Sequence, residues 1–267
     1  MIKISYVIPA YNAEETIGKC ITAIKKQKFS KEIIVINDGS KDKTKELCLN
    51  EKVKCITIPN SGVAVARNLG LKLATGDYIA LIDSDTYLDN DWSEKVMKND
   101  FKKWDFIITP SRYPKEAYLE TVKRFKNNTK ITLKNLVIFS NGIIFKSKNK
   151  KFVVFDENFI VGGEDWEIVL RLIKNGFKIK LDSSPTYEHR HIFKTQRKRI
   201  LTFLKKKFLF SYGDLYCYLK HRDVNEVKHF LKQNLWIIPF FPFIKLSVSI
   251  KRMKNKKNIN KLSLEGN

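Results

Sequence analysis

The sequence predicts an α/β fold with a mainly parallel, Rossmann-like sheet flanked by helices over roughly the first two-thirds of the chain. Two observations predict it. Short apolar segments alternate with segments of helical periodicity, and polar residues follow directly after the apolar segments. The chain has 267 residues, of which 43% are apolar, which is enough for one sizeable α/β domain and an appendage. Because ligands bind beyond the carboxyl ends of parallel strands, the polar residues after each strand are the first candidates for a functional site.

Apolar segments and helical patterns alternate through the first part of the chain. The segments with the length and composition of buried strands are Ile4–Ile8, Glu32–Ile36, Val53–Ile58 and Tyr78–Ile82. The helical patterns between and after them are residues 17–24, Lys43–Leu49, Gly62–Ala74 and Asp91–Lys102. Asn12 and Glu15 are placed to cap the first helix, as N-cap residue and capping-box partner. Strands that alternate with helices in this way predict βαβ units and therefore a parallel sheet.

The second part of the chain is less regular. Its predicted helices are Pro114–Asn127 and Glu164–Asn175, the second of which is stopped by Gly176. Its predicted strands are Ile138–Phe145, Phe152–Phe155 and Lys178–Leu181. These elements lead to about residue 193, where the composition changes.

Polar groups directly follow three of the predicted strands. They are Pro9–Asn12 after the first strand, Asn37–Ser40 after the second and Asp83–Asp85 after the fourth. Because these strand ends share one edge of the sheet, the three segments are expected to converge on one crevice. An aromatic ring and isolated carboxylates suit a nucleoside, since the ring stacks on a base and a carboxylate accepts hydrogen bonds from sugar hydroxyls or a base N–H.

Asp83 and Asp85 are separated by one residue and are expected to alternate on an extended chain. Two clustered carboxylates repel each other unless a hard cation or a ligand hydroxyl satisfies them. The pair therefore suits Mg²⁺ or Mn²⁺ bridging a diphosphate. Because D-x-D occurs often by chance, the pair taken alone is also compatible with ordinary surface caps.

Four segments of the chain occur in a distinctive order: PAYNAEE, NDGSKDKT, GVAVARNLGLKLATGDYIALIDSDT and GGEDWEIVLRL. Together they resemble the inverting family 2 glycosyltransferases, which have the GT-A fold. The resemblance covers about residues 2–192. It implies a GT-A catalytic domain over residues 1–193 and a sugar-nucleotide donor, without identifying the sugar or the acceptor.

The resemblance implies a nucleotide site at the strand ends. Tyr11 and Asp38 correspond to contacts to the nucleobase, and Pro9 shapes the same loop. Asp83 corresponds to a residue at the ribose and the metal. The implied nucleotide-binding residues are Pro9, Tyr11, Glu14, Asp38, Arg67 and Asp83. Arg67 also has an ordinary interpretation, as an arginine on the surface of a helix.

The resemblance also implies a metal site and a catalytic base. Asp85 corresponds to a ligand of a Mn²⁺ or Mg²⁺ cofactor. A histidine often lies against the metal or the diphosphate, and His189 and His191 both match because alternate strand residues point to the same side. We assign His191 as the metal ligand. Asp165 matches the base that removes the proton from the acceptor hydroxyl as that oxygen attacks the anomeric carbon.

The neighbours of Asp165 are candidate contacts to the acceptor. Glu164 precedes it and Trp166 follows it, and both are assigned to acceptor binding. Gly162 and Gly163 before them leave room for a ligand. The structural alternatives are a favourable negative charge at a helix N-terminus for Asp165 and a core position for Trp166.

The C-terminal part of the chain carries most of the positive charge. Of the net charge of +23, a net +15 falls between Lys194 and Lys261, where 18 basic residues accompany three acidic ones. Apolar side chains recur there at helical spacing: Ile200, Leu204, Phe208, Tyr212, Leu215 and Leu219. Residues 194–267 are therefore predicted to be a basic, amphipathic and mostly helical appendage that associates with an anionic membrane surface. The alternative is a helix packed on the catalytic domain with a solvated basic face.

The sequence contains no segment with the ~18–20 apolar residues of a membrane-spanning helix. The apolar run near the N-terminus is too short for a signal peptide. The four cysteines contain no C-x-x-C pair and are expected to be buried thiols in a reducing compartment. We therefore expect a cytoplasmic protein, held peripherally at the cytoplasmic face of the cell membrane by its C-terminal region.

The resemblance to family 2 glycosyltransferases implies transfer of a sugar from a nucleoside-diphosphate-sugar to a hydroxyl of a glycan or polyprenyl-linked acceptor, in the synthesis of cell-surface polysaccharide or glycoconjugate. A nucleotidyltransferase is one alternative, although such enzymes usually open with a Gly-rich phosphate loop where this chain has PAYN. A nucleic-acid-binding protein is another, but the chain lacks the zinc-finger spacing and the RNP motif of that class. No nucleic-acid partner is expected. A non-catalytic sugar-binding relative is the third, but all four acidic positions are present.

Overall fold

The computed structural model describes residues 1–112, 142–159 and 163–189, together with residues 115, 119, 123, 130, 131, 212, 213, 215–221 and 223. Strands and helices alternate at first as predicted: β1 (Lys3–Ala10), α1 (Ile17–Lys25), β2 (Ser30–Asn37), α2 (Thr44–Asn50), β3 (Lys54–Thr57), α3 (Val63–Leu73) and β4 (Tyr78–Leu81). The later elements are β5 (Thr86–Leu88), α4 (Trp92–Met97), β6 (Phe106–Ile108), β7 (Lys130–Ile131), β8 (Ile143–Lys146), α5 (Glu164–Lys174), β9 (Ile179–Leu181) and β10 (Tyr187–His189).

Among the described residues, eight strands form one sheet in the order β3-β2-β1-β4-β8-β6-β9-β7. β1 pairs in parallel with β2 and β4, and β2 pairs in parallel with β3, so the carboxyl ends of these strands meet at one edge. β8 runs antiparallel between β4 and β6, and β9 is parallel to β6. A second, two-stranded sheet pairs β5 with β10. The predicted α/β fold with a mainly parallel sheet is confirmed.

Helices cover both faces of the sheet, because the central strands bury side chains on each side. Ile4, Tyr6 and Ile8 of β1 pack in one core cluster with the buried face of α1. Val7 of β1 belongs to the opposite cluster, together with α3 and α5. α3 comes so close that a Cβ added to Gly70 would lie 2.3 Å from Cγ1 of Val7. This packing fixes the strand ends that carry the polar residues.

α1 begins later than the capping pattern predicts. Its N-cap residue is Thr16, and no side chain caps it. Asn12 instead has a left-handed backbone conformation with φ of 50°, and its side-chain oxygen accepts a hydrogen bond from the backbone N–H of Lys41. The predicted capping pair of Asn12 and Glu15 is therefore wrong, because Asn12 bonds to the loop after β2.

The predicted strand over Phe152–Phe155 is also wrong. A 3₁₀-helix, Ser147–Phe152, takes up its first residue. Buried and exposed side chains do alternate over these four residues, as in a strand: the second and fourth are buried, and the first and third are exposed. However, the backbone N–H and carbonyl of Phe155 bond to the side-chain amide of Asn68, which takes the place of a neighbouring strand.

α4 ends at Met97, five residues before the end predicted for Asp91–Lys102. The side-chain amide of Asn99 donates both to the carbonyl of Val96 and to the carboxylate of Asp182 (2.6 Å), so the chain leaves the helix to meet the end of β9. The helix predicted over residues 114–127 is described only at three positions, and the first residues of the strand predicted over 138–145 lie outside the described residues.

A short part of the C-terminal region is described, and it packs on the α/β domain. Residues 212, 213 and 215–220 are helical. Tyr212, Leu215 and Cys217 are buried, and Cys217 belongs to the main core cluster. This described part therefore packs on the domain, as in the alternative interpretation of the sequence. The rest of residues 194–267 lies outside the described residues. In the part of the chain that the structure describes, no helix has the length and apolar character needed to cross a membrane.

Candidate active site

Hydrogen bonds join the ends of β1 and β2. The backbone N–H of Asp38 donates to the carbonyl of Ala10 (2.8 Å), and the backbone N–H of Asn12 donates to the hydroxyl of Ser40 (2.9 Å). The two loops predicted to bind the nucleotide therefore converge, as expected. The side chain of Tyr11 lies at this junction and is 51% exposed, which leaves its ring accessible for stacking on a base.

The carboxylate of Asp38 is buried and holds the loop before α3. One oxygen accepts a hydrogen bond from the backbone N–H of Ser61 (2.6 Å), and the other accepts one from Gly62 (2.8 Å). Gly62 is the N-cap residue of α3 and has a φ of 100°. Asp38 thereby fixes the start of the helix that carries Arg67, and its contact to a nucleobase stays a prediction.

Pro9 and Glu14 lie on either side of the Tyr11 loop. Pro9 is buried near the end of β1, in register with Ile36 of β2. The carboxylate of Glu14 accepts a hydrogen bond from the backbone N–H of Lys43 (3.2 Å), directly before α2. The contacts of both residues to a nucleotide stay predictions.

Asp83, Asp85 and His189 form a candidate metal site. One ligand atom from each residue lies within 4.8 Å of the other two. The aspartates lie on a turn closed by a hydrogen bond from the N–H of Thr86 to the carbonyl of Asp83 (3.1 Å), not on the extended chain that the sequence suggested. Because β10 pairs with β5, His189 lies opposite Thr86, and its Nε2 is 2.8 Å from Oδ1 of Asp85.

The donor atoms of this site fit a divalent cation. Mn²⁺ accepts carboxylate and imidazole ligands, and Mg²⁺ prefers carboxylates. Burial lowers the pKa of His189, but the hydrogen bond to Asp85 and the charges of both aspartates outweigh it and raise the pKa. The predicted ligand His191 lies outside the described residues, so that assignment stays a prediction. His189 is the histidine that the structure brings to Asp85.

Arg67 connects the candidate metal site to α5. Its side chain is only 3% exposed, so it is not the surface arginine of the alternative interpretation. One terminal nitrogen lies 2.9 Å from Oδ1 of Asp83, and the other lies 3.0 Å from Oε1 of Glu164. The guanidinium also lies over the ring of Phe155, 5.2 Å from its centre. The arginine thus bridges two carboxylates from distant parts of the chain.

Asp165 is partly buried in the first turn of α5. Its Oδ1 accepts a hydrogen bond from the backbone N–H of Trp166 (2.9 Å). Burial and the adjacent charge of Glu164 raise the pKa of Asp165 to about 7, while the charge of Arg67 and the hydrogen bond from Trp166 act in the opposite direction. A carboxylate with a pKa near neutrality is suited to accept a proton from a hydroxyl group.

The two predicted acceptor contacts lie deeper than expected. Glu164 is 5% exposed, and its carboxylate is bonded to Arg67. Trp166 is partly buried and packs against the main core cluster. Their binding of an acceptor stays a prediction.

Tyr187 is a residue of the site that sequence reasoning missed. It is buried at the start of β10, and burial together with the charges of Asp83 and Asp85 raises the pKa of its hydroxyl. A Cβ added to Gly142, which has a φ of 73°, would lie 2.6 Å from the Tyr187 ring. The sequence offered no signal for this contact, because 45 residues separate the glycine from the tyrosine.

Polar groups at the carboxyl edge of a parallel sheet, a carboxylate pair on the turn after β4 and a partly buried carboxylate at the start of α5 define a GT-A-type α/β protein. The sequence model of one family, described as "Glycosyl transferase family 2", matches residues 5–162. The chain therefore belongs to glycosyl transferase family 2. Asp165 lies three residues beyond the matched segment, and the residues at the ends of β1, β2 and β4 lie within it.

Two curated relatives share short segments with this chain. Glycosyltransferase GlyA of Streptococcus pneumoniae is 35% identical over 102 residues, which cover 36% of this chain and 15% of that protein. The poly(ribitol-phosphate) beta-N-acetylglucosaminyltransferase TarS of Staphylococcus aureus is 33% identical over 100 residues, covering 34% of this chain and 18% of that protein. The matched segments thus span less than a fifth of either relative.

Two solved structures share the fold. S. aureus TarS 1-349 in complex with UDP-GlcNAc has a TM-score of 0.58 at 20% identity, covering 88% of this chain and 72% of that chain. The mannosyltransferase PcManGT from Pyrobaculum calidifontis, in complex with GDP-Man and Mn²⁺, has a TM-score of 0.64 at 16% identity, covering 93% of this chain and 73% of that chain. At these identities the likeness establishes the fold alone.

Proposed function

We propose that the protein is an inverting glycosyltransferase that moves a sugar from a nucleoside-diphosphate-sugar to a hydroxyl group. The observation that carries this proposal is the buried Arg67, which bonds to Asp83 on one side and to Glu164 on the other. It joins the candidate metal site to the residue beside Asp165. Inversion requires a stabilised diphosphate leaving group and a general base on opposite sides of the anomeric carbon. In this proposal the metal site stabilises the leaving group and Asp165 is the base, so Arg67 links the two parts of the reaction.

The chain's own residues divide the chemistry between them. Asp83, Asp85 and His189 would hold Mn²⁺ or Mg²⁺, which when bound supplies positive charge beside the diphosphate. Asp165 takes the proton of the acceptor hydroxyl, for which its raised pKa suits it. Arg67 holds Asp83 and α5 at a fixed separation, so that base and leaving group keep the alignment that displacement needs.

The donor is proposed to be a UDP-sugar or a GDP-sugar. The exposed ring of Tyr11 offers a stacking face. Each oxygen of the Asp38 carboxylate accepts one backbone hydrogen bond, and a carboxylate oxygen has a second lone pair, which could accept the imino N–H that uracil and guanine share. TarS binds UDP-GlcNAc and PcManGT binds GDP-Man with Mn²⁺ in the structures compared above, which supports both choices.

A nucleotide screen tests this proposal. We expect UDP or GDP with Mn²⁺ to raise the Tm more than CDP, whose base lacks an imino N–H, because a ligand that binds only the folded state stabilises it, by ~2.7 kcal/mol at 100 times its Kd. The fourth nucleotide of the screen is dTDP, whose base carries the same imino N–H as uracil. Sugar nucleotides, and in separate reactions nucleoside triphosphates, are then incubated with the protein and the released product is identified. A released nucleoside diphosphate supports glycosyl transfer, whereas pyrophosphate released from a nucleoside triphosphate supports nucleotidyl transfer. If none of the four nucleotides shifts the Tm, the nucleotide site itself is contradicted.

We further propose that the acceptor is a glycan or a polyprenyl-linked sugar in cell-surface polysaccharide or glycoconjugate synthesis, reached at the cytoplasmic face of the membrane. The relative TarS is named for transfer to poly(ribitol-phosphate), a polymeric acceptor. The net charge of +15 between Lys194 and Lys261, combined with aromatic and aliphatic residues, suits an anionic lipid surface.

Co-sedimentation with anionic liposomes tests the membrane proposal. We expect the full chain to pellet at low salt and to be released as salt increases, because each Lys or Arg near an anionic surface contributes ~1 kcal/mol and is screened by ions. The matched control ends after Asp223, since Tyr212, Leu215 and Cys217 are buried and a shorter chain would expose the core. Removal of residues 224–267 should weaken binding. A full chain that stays in the supernatant at low salt contradicts the proposal, and neutral liposomes serve as the lipid control.

A further inference from the structure

The C-terminal region touches the helix that carries Asp165. The docking segment, defined as residues 212, 213 and 215–221, runs against α5. A Cβ added to Gly163, the N-cap residue of α5, would lie 3.0 Å from the carbonyl carbon of Gly213 and 3.1 Å from its oxygen. Gly163 has a φ of 90°, so a side chain there would be strained as well as crowded. The two backbones therefore meet two residues before Asp165.

Glu167 anchors the docking segment to the first turn of α5. Its side chain is fully buried, and its Oε1 lies 2.8 Å from Nζ of Lys220, 3.3 Å from Nε2 of His221 and 3.0 Å from Nε of Arg171. Burial raises the pKa of Glu167, but these three partners outweigh it and lower the pKa to about 2. The backbone N–H of Glu167 donates to the carbonyl of Gly163 (3.0 Å), so the anchor belongs to the turn that contains Asp165.

A second set of contacts ties the docking segment to the loop before α5. Nζ of Lys220 also lies 2.8 Å from Oδ2 of Asp156. The hydroxyl of Tyr216 donates to the same carboxylate oxygen (3.3 Å) and accepts a hydrogen bond from the side-chain amide of Asn158 (3.1 Å). The rings of Phe159 and Tyr216 pack edge to face, 4.9 Å apart. Lys220 therefore bridges two carboxylates that lie on either side of the start of α5.

The effect of Lys220 on the base follows from this geometry. The carboxylate of Glu167 is fully buried, and Lys220, whose side chain is 32% exposed, is one of its three basic partners. Because a buried charge that loses a partner is destabilised, the first turn of α5 is expected to shift when Lys220 is removed. The polar residues of the nucleotide site lie at the ends of β1, β2 and β4, whereas Lys220 contacts Glu167 in the first turn of α5 and Asp156 in the loop before it. We therefore expect a substitution of Lys220 to change the orientation of Asp165 more than it changes the affinity for the nucleotide.

We propose that Glu167 and Lys220 are positioning residues, and that the docking segment orients Asp165 toward the acceptor by fixing the first turn of α5. The C-terminal region is then part of the catalytic unit as well as a candidate membrane contact. This inference rests on the proposed function, in which Asp165 is the base.

Substitution of Lys220 tests the inference. In full-length Lys220→Met we expect kcat to fall ~10-fold or more, while the Kd for UDP or GDP with Mn²⁺ stays within ~2-fold, because a displaced base slows the chemical step without weakening donor binding. Lys220→Arg keeps the charge and should recover most of the lost kcat. Each variant is assayed well below its own Tm, so that the folded fraction does not enter the comparison.

Lys174→Met is the matched control. It removes the ion pair between Lys174, at the exposed end of α5, and Asp223, which lies two residues beyond the docking segment (2.7 Å). Exposed pairs contribute little, so its kcat should equal that of the wild type. A Lys220→Met variant with the kcat of the wild type, or one that loses nucleotide affinity as steeply as rate, overturns the inference.

Amide hydrogen exchange separates this inference from the proposed function. Lys220→Met should exchange faster than Lys174→Met at residues 164–168, with no difference in β1 and β2. This measurement needs no substrate, so it decides the positioning of α5 even if no sugar nucleotide is turned over. Equal exchange at residues 164–168 in the two variants overturns the inference, whereas an absence of turnover in the wild type bears on the proposed function alone.

Discussion

We expect Asp165→Asn to lower the rate of sugar transfer by ~10²–10⁴-fold, the usual effect of losing a general base. Asparagine is nearly isosteric with aspartate, and its side-chain oxygen still accepts the hydrogen bond from the N–H of Trp166. It cannot take the proton of the acceptor hydroxyl. Single-turnover transfer measures the chemical step, and titration with the nucleoside diphosphate and Mn²⁺ measures donor affinity, which should be unchanged.

A matched control for Asp165 is Asp91→Asn. Asp91 lies at the start of α4, and its carboxylate pairs with Lys95 on the surface. The same chemical change at a helix start away from the site should leave transfer unaffected. If donor affinity in Asp165→Asn fell as steeply as the rate, Asp165 would be a binding residue and not the base.

The pH dependence of stability supplies a folding control for the same variant. Burial raises the pKa of Asp165 to about 7 in the folded protein, against about 4 in an unfolded chain. The folded state therefore holds the proton more tightly, and its stability falls as pH rises from about 4 to about 7. Because asparagine does not ionise, Asp165→Asn does not lose stability in this way as pH rises. In EDTA at pH 8, the Tm of the variant should exceed that of the wild type. A difference of about 1 kcal/mol raises the Tm by ~2–4 °C, and we expect at least that increase. Near pH 4 the two proteins should have the same Tm.

The positions that sequence reasoning located well are those set by short-range pattern and by sheet topology. Residues 9–12 and 37–40 follow buried strands, and parallel pairing of β1 with β2 is enough to bring them together. The same argument placed Asp83 and Asp85 at the end of β4. Local apolar periodicity determines such strand ends, so no knowledge of distant contacts was needed.

The positions that it missed depend on distant partners. The bond between Asn68 and Phe155 replaces a strand pairing across 87 residues, and the link between Arg67 and Glu164 spans 97. His189 reaches Asp85 only because a two-stranded sheet pairs β10 with β5. The sequence around Glu167 does not indicate that Lys220 contacts it. Helical periodicity predicts which face of a helix is apolar, but it does not predict which segment packs on that face.

Asp85→Ala is expected to abolish metal-assisted nucleotide binding and to lower transfer by at least ~10²-fold. Asp85 contributes one of the three candidate ligand atoms and also holds His189 by a 2.8 Å contact, so its removal affects two of the three. Loss of an outer-shell partner alone costs up to ~100-fold in metal affinity, and loss of a direct ligand costs more. Asp83 keeps its bond to Arg67, so the fold around the site should persist.

Calorimetric titration with Mn²⁺, with and without UDP or GDP, measures the effect of Asp85→Ala apart from turnover. The wild type should bind nucleotide more tightly with Mn²⁺ than in EDTA, and the variant should bind equally weakly in both. Asp100→Ala is the control, because Asp100 is an exposed aspartate away from the site, whose carboxylate accepts a hydrogen bond from the N–H of Lys102 (2.8 Å). A folded Asp85→Ala protein that transfers sugar at full rate in EDTA contradicts metal dependence. Since that variant retains Arg67 and Asp165, such a result would leave a transferase that does not depend on a metal.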